Sequence, residues 1–432
     1  MMNGLKEFLA NSLTAYQACD NAKTLLLANG FTQLSETETW QLQEKGRYFV
    51  SRGGSSVIAF TVGANAKTDA DLAYKIVASH TDSPALKLKE NPCVKGAYVT
   101  LNVEKYGGGL WYTFFDRPLK IAGRVILREN NRLFIKSYQS DFYVTIPSQA
   151  IHINREANEK FAVNAQVDLL PLFALNSENL SFDEMFAGLK TSEDCQVVSY
   201  DLFLVNADMP YTFGLKNEFL ASPRVDNLSS VYSSMEGLLA AKNTRGICVA
   251  AMLDNEEVGS LTAQGADGDF MENVLRRIAY ALGKDDEGYY QAVAKSFLLS
   301  ADNAHALHPN HPEKSDPTNK TLMGGGVVIK AHASKAYVTD GLSAAILKTV
   351  FDKANVKHQA FFNRSDVRSG STLGAASLRH VGMRGADVGL AQLAMHSACE
   401  CFAIADYAEM VKGITAFYDS VITEKEREIV VE

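Results

Sequence analysis

Cysteine and long apolar runs are both scarce in this sequence. The chain has six cysteines among 432 residues, and their spacing fits neither a disulfide scaffold nor a cysteine-ligated zinc site. No stretch is long and apolar enough to cross a bilayer. Residues 1–30 mix polar side chains into their apolar positions, unlike a secretory signal. We therefore expect a soluble protein of the reducing cytoplasm with no membrane partner.

Basic residues are fewer than acidic residues. Lysine and arginine number 42 against 50 acidic residues, which gives a formal net charge of −8. Nucleic acids and anionic membranes require a basic surface, so neither is expected as the main partner. The hydrophobic content of 47% and charged content of 21% are those of an ordinary globular chain, long enough for roughly two or three domains.

Two adjacent acids follow the most apolar run of the chain. Residues 247–253 are all apolar, and Glu256 and Glu257 come shortly after them. An unbroken run of this length predicts a strand buried on both faces of a parallel sheet. Open α/β sheets bind ligands just beyond the carboxyl ends of such strands, and carboxylates leave water readily only with a compensating cation. This stretch alone also fits a solvated pair of loop acids.

Two further predicted strands end on side chains that can bind a metal. Residues 74–79 lead into His80 and Asp82, and a metal-bound imidazole usually donates its other nitrogen to an acceptor such as a carboxylate. A hydrogen-bonded loop histidine is the alternative interpretation. Residues 296–300 lead into Asp302, which we favour over the later histidines because Pro309 and Pro312 would break a helix that aligned them.

Asp226 and His396 lie near predicted helices rather than at strand ends. Asp226 precedes the helix predicted at 228–241, so its role as a helix cap and its role as a metal ligand both stay open. His396 is followed by a stretch that we predict to be helical through Tyr407 and beyond.

The pattern of apolar residues predicts two structural regions. Residues 1–86 and 215–432 form an α/β domain with a mixed, largely parallel sheet flanked by helices. They include one long amino-terminal helix at 5–29 and a β-hairpin at 47–60. Residues 87–214 change to short alternating runs separated by turns, which indicates an inserted β-rich domain. A glycine-rich stretch within it, residues 105–109, is interpreted as a flexible loop.

Together these residues suggest a centre for two metal ions. Two histidines and three carboxylates, with one glutamate of the pair set aside, match the ligands of two zinc-like ions sharing one carboxylate. Two such ions can activate water and polarise a carbonyl group. The glutamate that is set aside, Glu256, would then transfer protons.

The ordered motifs resemble those of the aspartyl aminopeptidase family, dinuclear zinc metallopeptidases that include the vacuolar aminopeptidase. The resemblance extends over nearly the whole chain. The motifs are His80-Thr81-Asp82, residues 222–227 around Asp226, residues 254–260 with Glu256 and Glu257, residues 302–310 with Asp302, His305 and His308, Met395-His396-Ser397, residues 105–109, and Ile151-His152.

The resemblance implies a zinc aminopeptidase that removes an amino-terminal residue, preferentially Asp or Glu, from peptides. It implies an inserted dimerisation and lid domain and dimers that assemble into a dodecamer. The implied metal ligands are His80 and Asp302 for one ion, Glu257 and His396 for the other, and Asp226 as the bridge. The implied catalytic residues are Glu256 as general base and acid, Asp82 orienting His80, and His152 reaching in from a neighbouring subunit. The implied substrate-binding residues are Lys330, His305 and Tyr337.

One departure from the family pattern bears on specificity. Residues 367–370 read Val-Arg-Ser-Gly where a glycine- or cysteine-containing turn is expected, so Arg368 leaves a preference for neutral residues open. Zinc is the expected metal, with cobalt and manganese as alternatives. A metallodeacylase or carboxypeptidase of similar architecture, and a shell protein without catalysis, are the rival interpretations.

Overall fold

The computed structural model describes residues 2–70, 72–176 and 181–432. Its α-helices are α1 (Met2–Asn11), α2 (Ala15–Ala28), α3 (Ala165–Asp168), α4 (Val225–Ala240), α5 (Phe270–Ala281), α6 (Asp286–Ala294), α7 (Gly341–Lys353), α8 (Leu373–His380) and α9 (Ile404–Asp419). Short 3-10 helices span Trp111–Phe114, Phe182–Leu189, Glu256–Val258 and Pro312–Lys314. No helix in these ranges is long and apolar enough to cross a membrane.

The strands fall into three larger sheets and a carboxyl-terminal hairpin. They are β1 (Thr32–Gln33), β2 (Arg47–Arg52), β3 (Ser56–Val62), β4 (Tyr74–His80), β5 (Ala85–Lys95), β6 (Tyr98–Tyr106), β7 (Leu119–Glu129), β8 (Arg132–Gln139), β9 (Leu172–Leu175), β10 (Gln196–Asn206), β11 (Tyr211–Phe213), β12 (Phe219–Ser222), β13 (Ile247–Leu253), β14 (Phe297–Ala301), β15 (Ala304–His305), β16 (Val327–Lys330), β17 (His358–Phe361), β18 (Arg384–Gly389), β19 (Ala391–Leu393), β20 (Glu400–Ala403), β21 (Ile422–Lys425) and β22 (Glu428–Val431).

The main sheet has nine strands in the order β1-β2-β3-β13-β4-β14-β18-β16-β17. Its central strands β13, β4, β14 and β18 are parallel to one another, as predicted for a mixed, largely parallel sheet. Along β13, Cys248, Ala250 and Met252 pack into one hydrophobic core, while their neighbours pack into the core on the opposite face. The unbroken apolar run therefore arises because both faces of this strand are covered.

A second, antiparallel sheet is built from the middle of the chain. Its order is β8-β7-β10-β5-β6-β9, and it has its own hydrophobic core. We call the described residues of 85–206 the six-stranded unit. Strands β11 and β12 belong instead to a five-stranded sheet with β20, β19 and β15. The domain boundaries at 86/87 and 214/215 stay a prediction.

Two local predictions are wrong. The single amino-terminal helix is two helices, α1 and α2, because Thr14 is extended at the start of the second and the Arg224 guanidinium binds the carbonyls of Leu9 and Ser12 at the end of the first. The stretch after His396 does not enter a helix directly. Strand β20 comes first, paired with β12 and β19, and α9 begins only at Ile404.

Candidate metal centre

The main sheet brings three of the predicted sites to one edge. His80 is the last residue of β4, Glu257 follows β13, and Asp302 follows β14. Strands β13, β4 and β14 are adjacent and parallel, so their carboxyl ends lie side by side. Asp226 reaches the same place from the first turn of α4, and His396 from the loop between β19 and β20.

One group of side chains surrounds the ring of His80. Its Nε2 atom lies 3.5 Å from Asp226 Oδ1 and 3.9 Å from Asp302 Oδ1. All three residues are buried and present their ligand atoms within 4.8 Å of one another. A divalent ion could be held between them, since imidazole and carboxylate are both zinc ligands.

A second group surrounds the ring of His396. Its Nε2 atom lies 3.3 Å from Glu257 Oε1 and 3.5 Å from Asp226 Oδ2. Asp226 therefore faces His80 with one carboxylate oxygen and His396 with the other. One carboxylate placed in this way could be shared by two cations.

The burial of these acids indicates that a cation is needed. Asp226 Oδ1 and Glu257 Oε1 are both buried and have no hydrogen-bond partner among the described residues. Burial raises the pKa of Glu257 well above its usual range, and the nearby Asp226 carboxylate adds to the effect. A buried oxygen without a partner is costly, so these residues fit divalent metal ions. Asp226 makes no capping hydrogen bond among the described residues: its φ and ψ of −82° and 107° are not helical, its Oδ1 has no hydrogen-bond partner, and its Oδ2 faces His396.

Two further carboxylates accept hydrogen bonds from the backbones of candidate ligand residues. Glu400 accepts hydrogen bonds from the backbone N–H groups of Asp226 and His396, at 2.8 and 2.6 Å. Asp82 accepts them from Glu256 and Glu257, both at 3.1 Å. The two buried acids thus fix the backbones of four of the six candidate residues, namely Asp226, His396, Glu256 and Glu257.

Asp82 also lies beside His80. The His80 Nδ1 atom is 3.1 Å from the Asp82 carbonyl oxygen and 3.4 Å from its carboxylate Oδ1. When Nδ1 donates to either acceptor, Nε2 carries no proton and faces Asp226 and Asp302 as a possible metal ligand.

Glu256 lies at the edge of the centre rather than inside it. Its Oε2 atom is 4.0 Å from His80 Nε2, and its side chain is 17% exposed, against 4% for Glu257. Burial and the carboxylates of Asp302, Asp82 and Asp226, partly offset by His80, raise its pKa to about 8. Glu256 can also be grouped with His80 and Glu257 as a possible ligand set, so its position permits either role.

The residues proposed to bind substrate lie beside the first group. Lys330 is 1% exposed; its Nζ atom donates to the Asn303 carbonyl at 3.2 Å and lies 3.9 Å from Asp302 Oδ2. The ammonium also lies over the Tyr337 ring at 5.0 Å. His305, at the end of β15, is exposed.

Two other residues of interest lie on the surface. His152 is exposed in a turn of the six-stranded unit, and within the described part of the chain no contact joins it to the metal ligands. Arg368 is exposed in the loop that precedes α8.

Sequence analysis missed the supporting residues of the centre. The Tyr106 hydroxyl donates to Asp82 Oδ2 at 2.8 Å, and the Gly108 carbonyl lies 3.1 Å from His396 Nδ1. Both belong to the glycine-rich stretch that was interpreted as a flexible loop. For Glu400 a signal existed, because an acid opening the apolar strand Glu400–Ala403 needs partners when it is buried.

The fold and the ligand set define a metalloprotein of the α/β class, with imidazoles and carboxylates gathered at the carboxyl ends of parallel strands. Comparison with known families narrows this class. The family described as "Aminopeptidase I zinc metalloprotease (M18)" matches residues 8–418. The chain belongs to this family and is a zinc-dependent aminopeptidase, a hydrolase of peptide bonds.

Similar proteins agree with this assignment. A probable M18 family aminopeptidase 2 of Clostridium novyi (strain NT) is 39% identical over 426 residues, which is 96% of this chain and 98% of the relative. Among solved structures, Ape4 in complex with Nbr1 matches with a TM-score of 0.91 and 34% identity, covering 96% of this chain and 85% of that one. The S. cerevisiae mApe1 dodecamer matches with a TM-score of 0.80 and 26% identity, covering 96% and 95%.

Proposed function

We propose that this aminopeptidase uses two divalent ions per subunit, most simply zinc, to remove an amino-terminal Asp or Glu from peptides. The observation that carries the proposal is the placement of Asp226, whose two oxygens face two different imidazoles at 3.5 Å each. One ion would be held by His80 and Asp302 and the other by Glu257 and His396, with Asp226 shared.

The metal ions, when bound, would lower the pKa of a water molecule and polarise the scissile carbonyl. Glu256 accepts the proton that the attacking water loses and then donates it to the departing amine. Its carboxylate lies at the edge of the centre, 4.0 Å from His80 Nε2, a position that suits a group exchanging protons with the reacting atoms. Asp82 keeps Glu256 in place through the backbone hydrogen bond at 3.1 Å.

The preference for an acidic residue rests on Lys330, with Tyr337 and His305 beside it. An ammonium group has three N–H donors, and the Asn303 carbonyl takes one of them. A substrate carboxylate could accept from the others. Three carboxylates, Asp302, Asp387 and Asp226, keep the ammonium charged: they raise the pKa of Lys330 although burial alone would lower it.

Assembly and location are part of the same proposal. We propose a homo-oligomer of dimers that build a dodecamer through the inserted domain, residues 87–214, as the dodecameric relative suggests. His152, exposed on that region between Ile151 and Ile153 (48% and 78% exposed), would then enter the active site of a neighbouring subunit. All six cysteines are free thiols, in keeping with a cytoplasmic location.

The test is a kinetic comparison of peptides that begin with Asp, Glu, Leu or Lys, each with a free and a blocked amino terminus, in the presence of zinc, cobalt or manganese. We expect cleavage only of free amino termini and higher kcat/KM for Asp and Glu. Equal or higher kcat/KM for Leu would instead support a neutral preference, and cleavage of blocked substrates would indicate a deacylase.

A further inference from the structure

The two proposed metal subsites differ in the part of the chain that supports them. The first subsite is the one with His80 and Asp302, and the second is the one with Glu257 and His396. The His80 Nδ1 atom lies 3.1 Å from the Asp82 carbonyl, and the Asp302 N–H donates to the Val388 carbonyl at 2.8 Å. Both partners lie outside the six-stranded unit, although the Asp82 carboxylate accepts a hydrogen bond from Tyr106 of that unit at 2.8 Å.

The second subsite depends on a loop of the six-stranded unit. We call residues 107–113 the support loop; it follows β6, which ends at Tyr106. The Gly108 carbonyl lies 3.1 Å from His396 Nδ1, so this nitrogen donates and Nε2 is left to face the metal group. The Leu110 N–H donates to the His396 carbonyl at 2.8 Å, and the Ala398 N–H donates to Thr113 Oγ1 at 2.8 Å.

The backbone of His396 needs this support. Its φ is +65°, a left-handed conformation that residues with a Cβ rarely adopt and that persists only where surrounding contacts impose it. Contacts from the support loop bind both the ring and the carbonyl of this residue.

The support loop also packs closely against Glu257. Gly107 has a φ of +77°, and a Cβ added there would lie 3.1 Å from Glu257 Cβ and 3.4 Å from its Oε2. A side chain at this position would be strained by the positive φ and would push Glu257 away by a few tenths of an ångström. Both ligands specific to the second subsite are therefore in contact with the six-stranded unit.

We propose that the support loop is a positioning element for the second metal subsite alone, so that this loop controls the affinity of one ion and not of the other. This inference rests on the proposed dinuclear function. Its physical basis is that a metal-binding side chain is oriented by the groups to which it is hydrogen-bonded. Loss of those hydrogen bonds typically weakens metal binding by about 10- to 100-fold.

The test is the substitution Gly107→Ala, followed by zinc binding in a chelator-buffered titration with metal counted per chain by mass spectrometry. We expect the variant to lose one ion at free-zinc levels where the wild type holds two, with a second-site affinity lower by about 10- to 100-fold. Gly283→Ala is the matched control, since Gly283 also has a positive φ, +81°, with nothing within 4 Å of an added Cβ.

A second variant avoids the change in backbone preference. Thr113→Val removes the hydroxyl that accepts from Ala398 and should weaken the same ion by about twofold to tenfold, as for one neutral hydrogen bond. In a His396→Ala background, Gly107→Ala should leave binding of the remaining ion unchanged.

The possible failures are distinguishable. Weakening of both ions in parallel by Gly107→Ala, or behaviour identical to Gly283→Ala, would overturn the role of the support loop. A wild-type protein that binds fewer than two ions would overturn the dinuclear centre itself.

Discussion

Replacing Glu256 with glutamine separates proton transfer from metal binding. Glutamine has nearly the same shape but accepts no proton at the pH of the reaction. The Glu256 backbone N–H would still bind Asp82 at 3.1 Å, so the side chain should stay in place. Losing a positioned general base usually costs about 10²- to 10⁴-fold, which corresponds to about 3–6 kcal/mol at about 1.4 kcal/mol per tenfold.

The structure also predicts what this substitution leaves unchanged. Glu256 lies at the rim, 4.0 Å from His80 Nε2, whereas Glu257 lies 3.3 Å from His396 Nε2. We therefore expect Glu256→Gln to retain two ions per chain while kcat falls, and Glu257→Gln to lose one ion. The exposed Glu426→Gln serves as a neutral control.

The assay is kcat and KM on an amino-terminal Asp substrate, with metal content measured on the same preparation. Near-normal turnover of Glu256→Gln would remove Glu256 from the mechanism. Loss of an ion from this variant would show that the alternative ligand group of His80, Glu256 and Glu257 is the one that the protein uses.

Three further predictions concern specificity, assembly and pH. Lys330→Met keeps the buried stem but removes the charge, so kcat/KM should fall far more for Asp than for Leu substrates, and an equal fall would reject the charge contact. Mixing His152→Ala subunits with Glu256→Gln subunits should restore part of the activity if His152 acts across an interface; no recovery would place it within its own chain. Although burial lowers it, Asp226 and Glu257 raise the pKa of His396 to about 10, so zinc must displace a proton from the metal-free folded state and should raise the Tm more at about pH 8 than at about pH 6. A pH-independent shift in Tm would contradict this.

The sequence predicted the sheet better than the helices around it. Apolar runs such as Ile247–Leu253 identify strands buried on both faces because the pattern is local and covers the whole strand. The break between α1 and α2 could not be predicted in this way. It depends on Arg224, which is 212 residues away from Ser12 in sequence and binds its carbonyl.

The candidate metal ligands likewise divide into those that a local sequence pattern predicts and those that it does not. His80, Glu257 and Asp302 were found by their positions after apolar strands. Asp226 and His396 lie outside that pattern and were assigned with the help of the family motifs. Glu400, which fixes the backbones of both, was missed because no local pattern connects it with either residue.

The sequence by itself determined which strands are buried and therefore which acids and imidazoles stand at their carboxyl ends, since side-chain periodicity records the environment of each segment. Only the tertiary structure decided that Asp226 turns one oxygen to each imidazole and that residues 107–113 support His396 and Glu257. These facts depend on the register of distant strands and on packing between sheets, which no local stretch of sequence encodes.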